Sequence, residues 1–143
     1  MPHLSKIFTI KARDYLRAGE VSIQVQRLLK TIGFDPALIR KVSICAYEAE
    51  MNVVIHGGDG LLSLTIEPWG ISLDVQDEGP GIEDISLALQ EGYSTAPEEA
   101  REMGFGAGMG LPNIKKNSDV FEITSAKGKG AHLRIAFDFE ETR

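Results

Sequence analysis

Four glycines alternate along Gly104-Phe105-Gly106-Ala107-Gly108-Met109-Gly110-Leu111, and a helical pattern begins immediately afterwards. Glycine loses more backbone freedom on folding than any other residue, so a run of this kind needs a reason. A strip without bulky side chains that enters a helix N-terminus suits a phosphate, held by N–H groups and the helix dipole. The plainer alternative is a hinge that binds nothing. The spacing is not G-x-G-x-x-G, no strand precedes it, and no Gly-Lys-Ser/Thr ending follows. Neither the dinucleotide fingerprint nor the phosphate loop is therefore present.

The rest of the chain reads as alternating strands and helices. Ser5–Lys11 alternates polar and apolar residues and predicts a strand. Asp14 is placed to cap a helix running to about Ile32, with Val21, Val25, Leu28, Leu29 and Ile32 as its apolar stripe and Gly33 as its stop. Asp35-Pro36 predicts a second start, and that helix reaches about His56 before Gly57, Gly58 and Gly60. Leu61–Glu67 and Ile71–Asp77 predict a hairpin around Pro68-Trp69-Gly70. A short helix is expected over Asp84–Glu91, a functional loop or lid over Gly92–Gly108, and a helix over Gly110–Asn117. Val120–Ser125 and Ala131–Phe139 predict a last hairpin. This order implies an α+β fold: a two-layer sandwich, with a mixed but mostly antiparallel sheet covered by helices on one face. One domain over residues 1–143 is expected.

Two further segments carry chemistry. On a helix from Asp35 to His56, the core stripe is Leu38, Val42, Cys45, Ala49, Val53 and His56. Glu48 and Asn52 stack four residues apart beside that stripe. A carboxylate there can deprotonate a hydroxyl, and an Asn amide oxygen is a hard ligand for Mg²⁺. For an isolated pair of this kind, a solvated Glu and a polar residue near a helix end is the commoner outcome. Asp77-Glu78-Gly79-Pro80-Gly81-Ile82 follows a strand directly. Asp77 can accept a hydrogen bond from an exocyclic amine such as that of adenine, or the segment is an ordinary Asp/Gly/Pro turn.

Bulk properties narrow the function. A net charge of −6 without a Lys/Arg-rich run argues against a nucleic-acid backbone as partner. No apolar run approaches membrane-spanning length, and the N-terminal residues lack a signal peptide's apolar stretch, so a cytoplasmic location is expected. A single cysteine, Cys45, allows neither an internal disulfide nor a cysteine-built zinc cluster.

Taken in order, the three segments resemble the N, G1 and G2 boxes of the GHKL, or Bergerat-fold, ATP-binding domains shared by histidine kinases and gyrase B. The stretch Glu48-Ala49-Glu50-Met51-Asn52-Val53-Val54-Ile55-His56-Gly57 is most similar to the bacterial anti-sigma-factor serine/threonine kinases. The resemblance implies ATP or ADP as ligand with Mg²⁺, Glu48 as general base on a protein serine, and Asn52 as the metal ligand. Asp77 would hold the adenine amine, with Gly81 beneath the base and Gly79 and Ile82 in the same loop. Gly104, Phe105, Gly106, Ala107, Gly108, Met109, Gly110 and Leu111 would line the phosphates. Ser94 and Thr95 lie in a lid over Tyr93–Gly108, where relatives often touch the nucleotide. Arg101, in the same lid, either approaches the terminal phosphate or is simply solvated.

The implied substrate is a serine on a STAS-like anti-anti-sigma or scaffold protein, so that the chain regulates a sigma factor. The alternative is a module without catalysis, whose bound nucleotide sets its grip on a sigma factor or other regulator. Ala131 and His132 depart from the family pattern, which often has Thr there near adenine, so one contact is missing or replaced. The longer run Gly106-Ala107-Gly108, with Gly110-Leu111-Pro112-Asn113-Ile114-Lys115, is similar to stressosome-type switch kinases, and the two branches stay open. Dimerisation is common in the family, and an exposed apolar patch is expected at Ile7 and Phe8.

Overall fold

The computed structural model describes residues 3–56, 58–79, 89–90, 110–125, 128 and 130–139. Five strands form one sheet: β1 (Leu4–Ile10), β2 (Gly60–Glu67), β3 (Gly70–Asp77), β4 (Val120–Ser125) and β5 (Ala131–Asp138). Their spatial order is β1-β2-β3-β5-β4, and every ladder is antiparallel. Three helices accompany them: α1 (Glu20–Ile32), α2 (Pro36–His56) and α3 (Gly110–Asn117). The expected helix over Asp84–Glu91 lies almost wholly outside the described residues, as does the expected lid.

Alternation decides which sheet face is covered. Leu62, Leu64 and Ile66 of β2, Ile71, Leu73 and Val75 of β3, and Leu133, Ile135 and Phe137 of β5 are all buried, and they share one core with residues of the three helices. Their neighbours Ser63, Thr65, Ser72 and Asp74 face the other side, half-buried. The two-layer α+β reading therefore holds, with helices on one face. The same period separates Ile7, 62% exposed, from Phe8, 7% exposed, so Phe8 belongs to the core and not to a surface patch.

Helix α2 is the centre of the helical layer. Asp35 starts it as expected: its carboxylate accepts a hydrogen bond from the Ala37 N–H at 3.1 Å. The stripe Val42, Cys45, Ala49 and Val53 is buried, but so are Ile39, Ala46, Met51, Val54 and Ile55. The wheel finds only one buried stripe, whereas α1 and α3 both pack against this helix and bury further sides of it.

Helix α1 starts six residues later than its expected cap. Asp14 instead accepts from the Arg17 N–H at 3.3 Å within a turn. The true N-cap is Gly19, in left-handed conformation with no capping side chain of its own. Its place is taken by Glu50 of α2, only 2% exposed. This carboxylate accepts from the N–H groups of Gly19 at 3.0 Å, Val21 at 3.2 Å and Ser22 at 2.9 Å. A buried anion at the positive end of a helix dipole is stabilised by both the bonds and the field.

Replacing Glu50 by Ala leaves three buried donors unsatisfied and should cost about 3 kcal/mol or more. Glu50→Gln, which keeps one acceptor oxygen, should cost less. Urea unfolding of the three proteins checks this, and equal midpoints for wild type and Glu50→Ala would refute it.

Candidate functional site

Glu48 and Asn52 lie on one side of α2, one turn apart, and both are half-buried. Glu48 faces the start of α3. The Asn113 amide donates to its Oε2 at 2.8 Å, and a Cβ built on Gly110 would lie 3.6 Å from its Oε1. The helix-period pattern after the glycine run thus places the last glycine of that run against the carboxylate. Asn113 has no place in the sequence-level site. Its signal is its position on the first turn of α3, facing α2, which a helical wheel of α3 drawn against α2 could have shown.

Asn52 is half-buried and makes no side-chain hydrogen bond among the described residues. No group of three or more His, Cys, Asp or Glu residues able to hold a metal occurs among the described residues. The described residues therefore build no cage of their own there. That donor set fits Mg²⁺, which takes few protein ligands and keeps water and phosphate oxygens.

The second part of the site lies at the end of β3. Asp77 is in phase with Ile71, Leu73 and Val75, so it lies on the helix side of the sheet. Its Oδ1 accepts from the Gly79 N–H at 2.8 Å, a local side-chain-to-backbone bond two residues on. Two glycines outside the sequence-level list allow this packing. Gly60 pairs with Asp77, and a Cβ there would stand 2.7 Å from the Gln76 carbonyl oxygen. Gly130, with φ +79°, is closer still: a Cβ would overlap the Asp77 carbonyl oxygen at 1.9 Å. Only glycine tolerates that approach in a left-handed conformation.

His56 links the two parts. It is one further turn along α2 from Asn52, and the Asp77 charge acts on it. Glu48, Asn52 and His56 at i, i+4 and i+8 form a row about 12 Å long at 1.5 Å per residue. It runs from the start of α3 toward Asp77. Burial lowers the His56 pKa from its ordinary 6.5, the nearby Arg13 lowers it further, and Asp77 opposes both.

Several expected site residues find other places or none. Leu111 is buried in the core, so its side chain packs there and leaves only its backbone N–H for a ligand. Ala131 is buried on the inner face, whereas His132 is on the outer face. There His132 Nε2 lies 2.7 Å from Asp74 Oδ1, and Arg134 Nε lies 3.8 Å from Asp74 Oδ2. His132 therefore cannot replace a contact near Asp77; strand alternation turns it away. Gly81, Ile82, Ser94, Thr95, Arg101, Gly104, Phe105, Gly106, Ala107, Gly108 and Met109 lie outside the described residues.

Comparison with known proteins shows the family. The histidine kinase-like ATPase domain model matches residues 12–137. The serine/threonine-protein kinase RsbT of Bacillus subtilis is 26% identical over 113 residues, covering 76% of this chain and 79% of that protein. The anti-sigma F factor of Thermoanaerobacter sp. (strain X514) is 35% identical over 108 residues, covering 71% and 72%. That of Clostridium acetobutylicum is 33% identical over 106 residues, covering 69% and 71%. No helix among the described residues is long and apolar enough to cross a membrane.

The His56 environment sets a pH dependence. Its folded pKa lies below its unfolded value, so on acidification the unfolded chain takes up the proton first. The stability contribution is complete above pH 6.5 and is lost as pH falls from 6.5 toward the folded value. Unfolding free energy measured between about pH 7 and pH 5 should decline in wild type, with a shallower slope in His56→Gln. Identical slopes would show that His56 is not responsible.

Proposed function

The chain belongs to the histidine kinase-like ATPase domain family, and from that premise we propose that it is an ATP-dependent serine/threonine protein kinase of the anti-sigma type. In this reading it transfers the ATP γ-phosphoryl group to a serine of a STAS-like anti-anti-sigma or scaffold protein and so regulates a sigma factor. The observation that carries it is the Glu48 carboxylate, gripped at Oε2 by Asn113 and bordered at Oε1 by Gly110.

Each group then has one task. Glu48 takes the proton of the attacking serine hydroxyl through Oε1, while the Asn113 amide holds Oε2 and fixes the carboxylate plane. As the serine oxygen bonds to the γ-phosphorus, the bridging bond to the β-phosphate breaks and ADP leaves. Asn52 would hold Mg²⁺, which when bound neutralises charge on the phosphate oxygens. The N–H groups at the start of α3 offer the phosphates further donors. Asp77, held in shape by Gly79, would accept from the adenine amine. Gly81, Ile82, Ser94, Thr95, Arg101 and the run Gly104–Met109 complete the proposed nucleotide contacts.

Relatives named anti-sigma F factor support a second reading, in which nucleotide controls the grip on a sigma factor without transfer. Capture of the sigma factor with and without ATP separates the two readings, and equal capture in both conditions removes the switch.

For the kinase reading, the protein is incubated with labelled ATP, Mg²⁺ and the STAS-domain proteins of its own genome. Glu48→Gln should lower transfer on the order of a hundredfold or more with little change in ATP affinity. Asn113→Ala should lower kcat about tenfold, since it misplaces the base without removing it. Asn52→Ala should abolish the Mg²⁺-dependent part of ATP binding in calorimetry. Absence of phosphoserine on every partner, or Glu48→Gln behaving as wild type, would defeat the reading.

A further inference from the structure

A concavity of about 750 Å³ has Glu48 among its lining residues. It lies between the C-terminal half of α1 and the N-terminal half of α2. From α2 it takes Arg40, Ile44, Tyr47 and Glu48, at i, i+4, i+7 and i+8, which is one helical face. Lys30 of α1 and Phe34 of the loop that follows α1 form the opposite wall. Tyr47 is 40% exposed there, beside the apolar Ile39 and Ile44 and the polar Ser43.

The charge pattern of this groove departs from that of the chain. The protein carries a net charge of −6, yet the groove end distant from Glu48 presents two cations, Lys30 and Arg40. Both are exposed, and neither forms an ion pair among the described residues. The groove is thus anionic at the base, apolar in the middle and cationic at the far end.

We infer that this groove seats the segment of the protein substrate that carries the acceptor hydroxyl, with an acidic residue of that segment against Lys30 and Arg40. The inference rests on the kinase reading and names the chemistry of its acceptor. Two arguments choose this occupant. The groove is lined at one end by Glu48, the residue that must receive the hydroxyl proton. Its cations complement an acidic side chain, which steers an encounter and fixes register. The helix supplies a ruler: Arg40 and Glu48 are eight residues apart, about 12 Å along the axis. An extended chain rises about 3.3 Å per residue, so the acidic residue sits three or four positions from the serine. An apolar side chain between them meets Ile44 and Phe34.

The test uses the full chain, labelled ATP and the STAS-domain proteins of its own genome. The double variant Lys30→Glu/Arg40→Glu is compared with wild type and with Lys6→Glu, a charge reversal on the distant strand β1. The double variant should raise the acceptor KM tenfold or more, with kcat and the Kd for ATP within about twofold. Lys6→Glu should leave the acceptor KM within twofold, and thermal melts confirm that all three proteins are folded. An unchanged acceptor KM in the double variant, or an equal rise in Lys6→Glu, overturns the groove and leaves the kinase reading intact. Calorimetric binding of the same STAS proteins to Glu48→Gln, with and without the charge reversals, reads docking without transfer. Binding that depends on Lys30 and Arg40, where the wild type transfers no phosphate to the same STAS proteins, supports the groove as a docking surface and overturns the kinase reading. If no STAS protein binds or is phosphorylated, both are overturned.

Discussion

The buried Glu50 carboxylate is the contact on which the helical layer depends. It is inserted under the first turn of α1 and satisfies three N–H groups at once. Glu48, two residues earlier on the same helix, points elsewhere, because two positions on a helix differ by about 200°. One carboxylate of α2 therefore ties α1, and the other is tied to α3 through Asn113. Rotation of α2 about its axis would break both ties together. This gives Glu48 a defined direction although it is only half-buried.

The sheet makes the other half of the site by close backbone approach. Asp77 ends β3 where β2 begins and where the turn into β5 closes, with Gly60 and Gly130 on either side. Side chains at these two positions would push the strands away from Asp77. The carboxylate is thus set by main-chain packing, which is stiffer than a chain of side-chain contacts. The α2 row from Glu48 to His56 connects this rigid point to the start of α3.

Much of the architecture was legible because the signals are local. Period-two alternation gave both hairpins, Asp35-Pro36 gave the start of α2, and the glycine run gave the start of α3. Two causes account for the differences: a partner distant in sequence for Asp14 and Asn113, and the face that packs for Leu111 and His132. Asp14 has the local chemistry of a cap, but the cap of α1 is Glu50, 31 residues from Gly19. Asn113 meets Glu48 across 65 residues. Leu111 follows four glycines and resembles a ligand contact, yet the packing of α3 turns it into the core. His132 lies beside the expected adenine region in sequence, but strand alternation places it on the opposite face. Glu50 was inside the quoted motif without a role, since no local rule distinguishes a buried acidic residue from a solvated one.

Cys45 is the chain's only cysteine and is fully buried in the core stripe of α2. Burial above all, with the Glu48 charge adding to it, pushes its pKa up to about 12, and its thiol points to the Ile114 carbonyl oxygen of α3 at 3.7 Å. The thiolate needed for alkylation or disulfide exchange is therefore scarce in the folded protein at neutral pH. A thiol engineered anywhere on the surface would be alone in accepting a fluorophore or spin label from the native state. The natural one, silent until α2 and α3 separate, doubles as a built-in reporter of global opening.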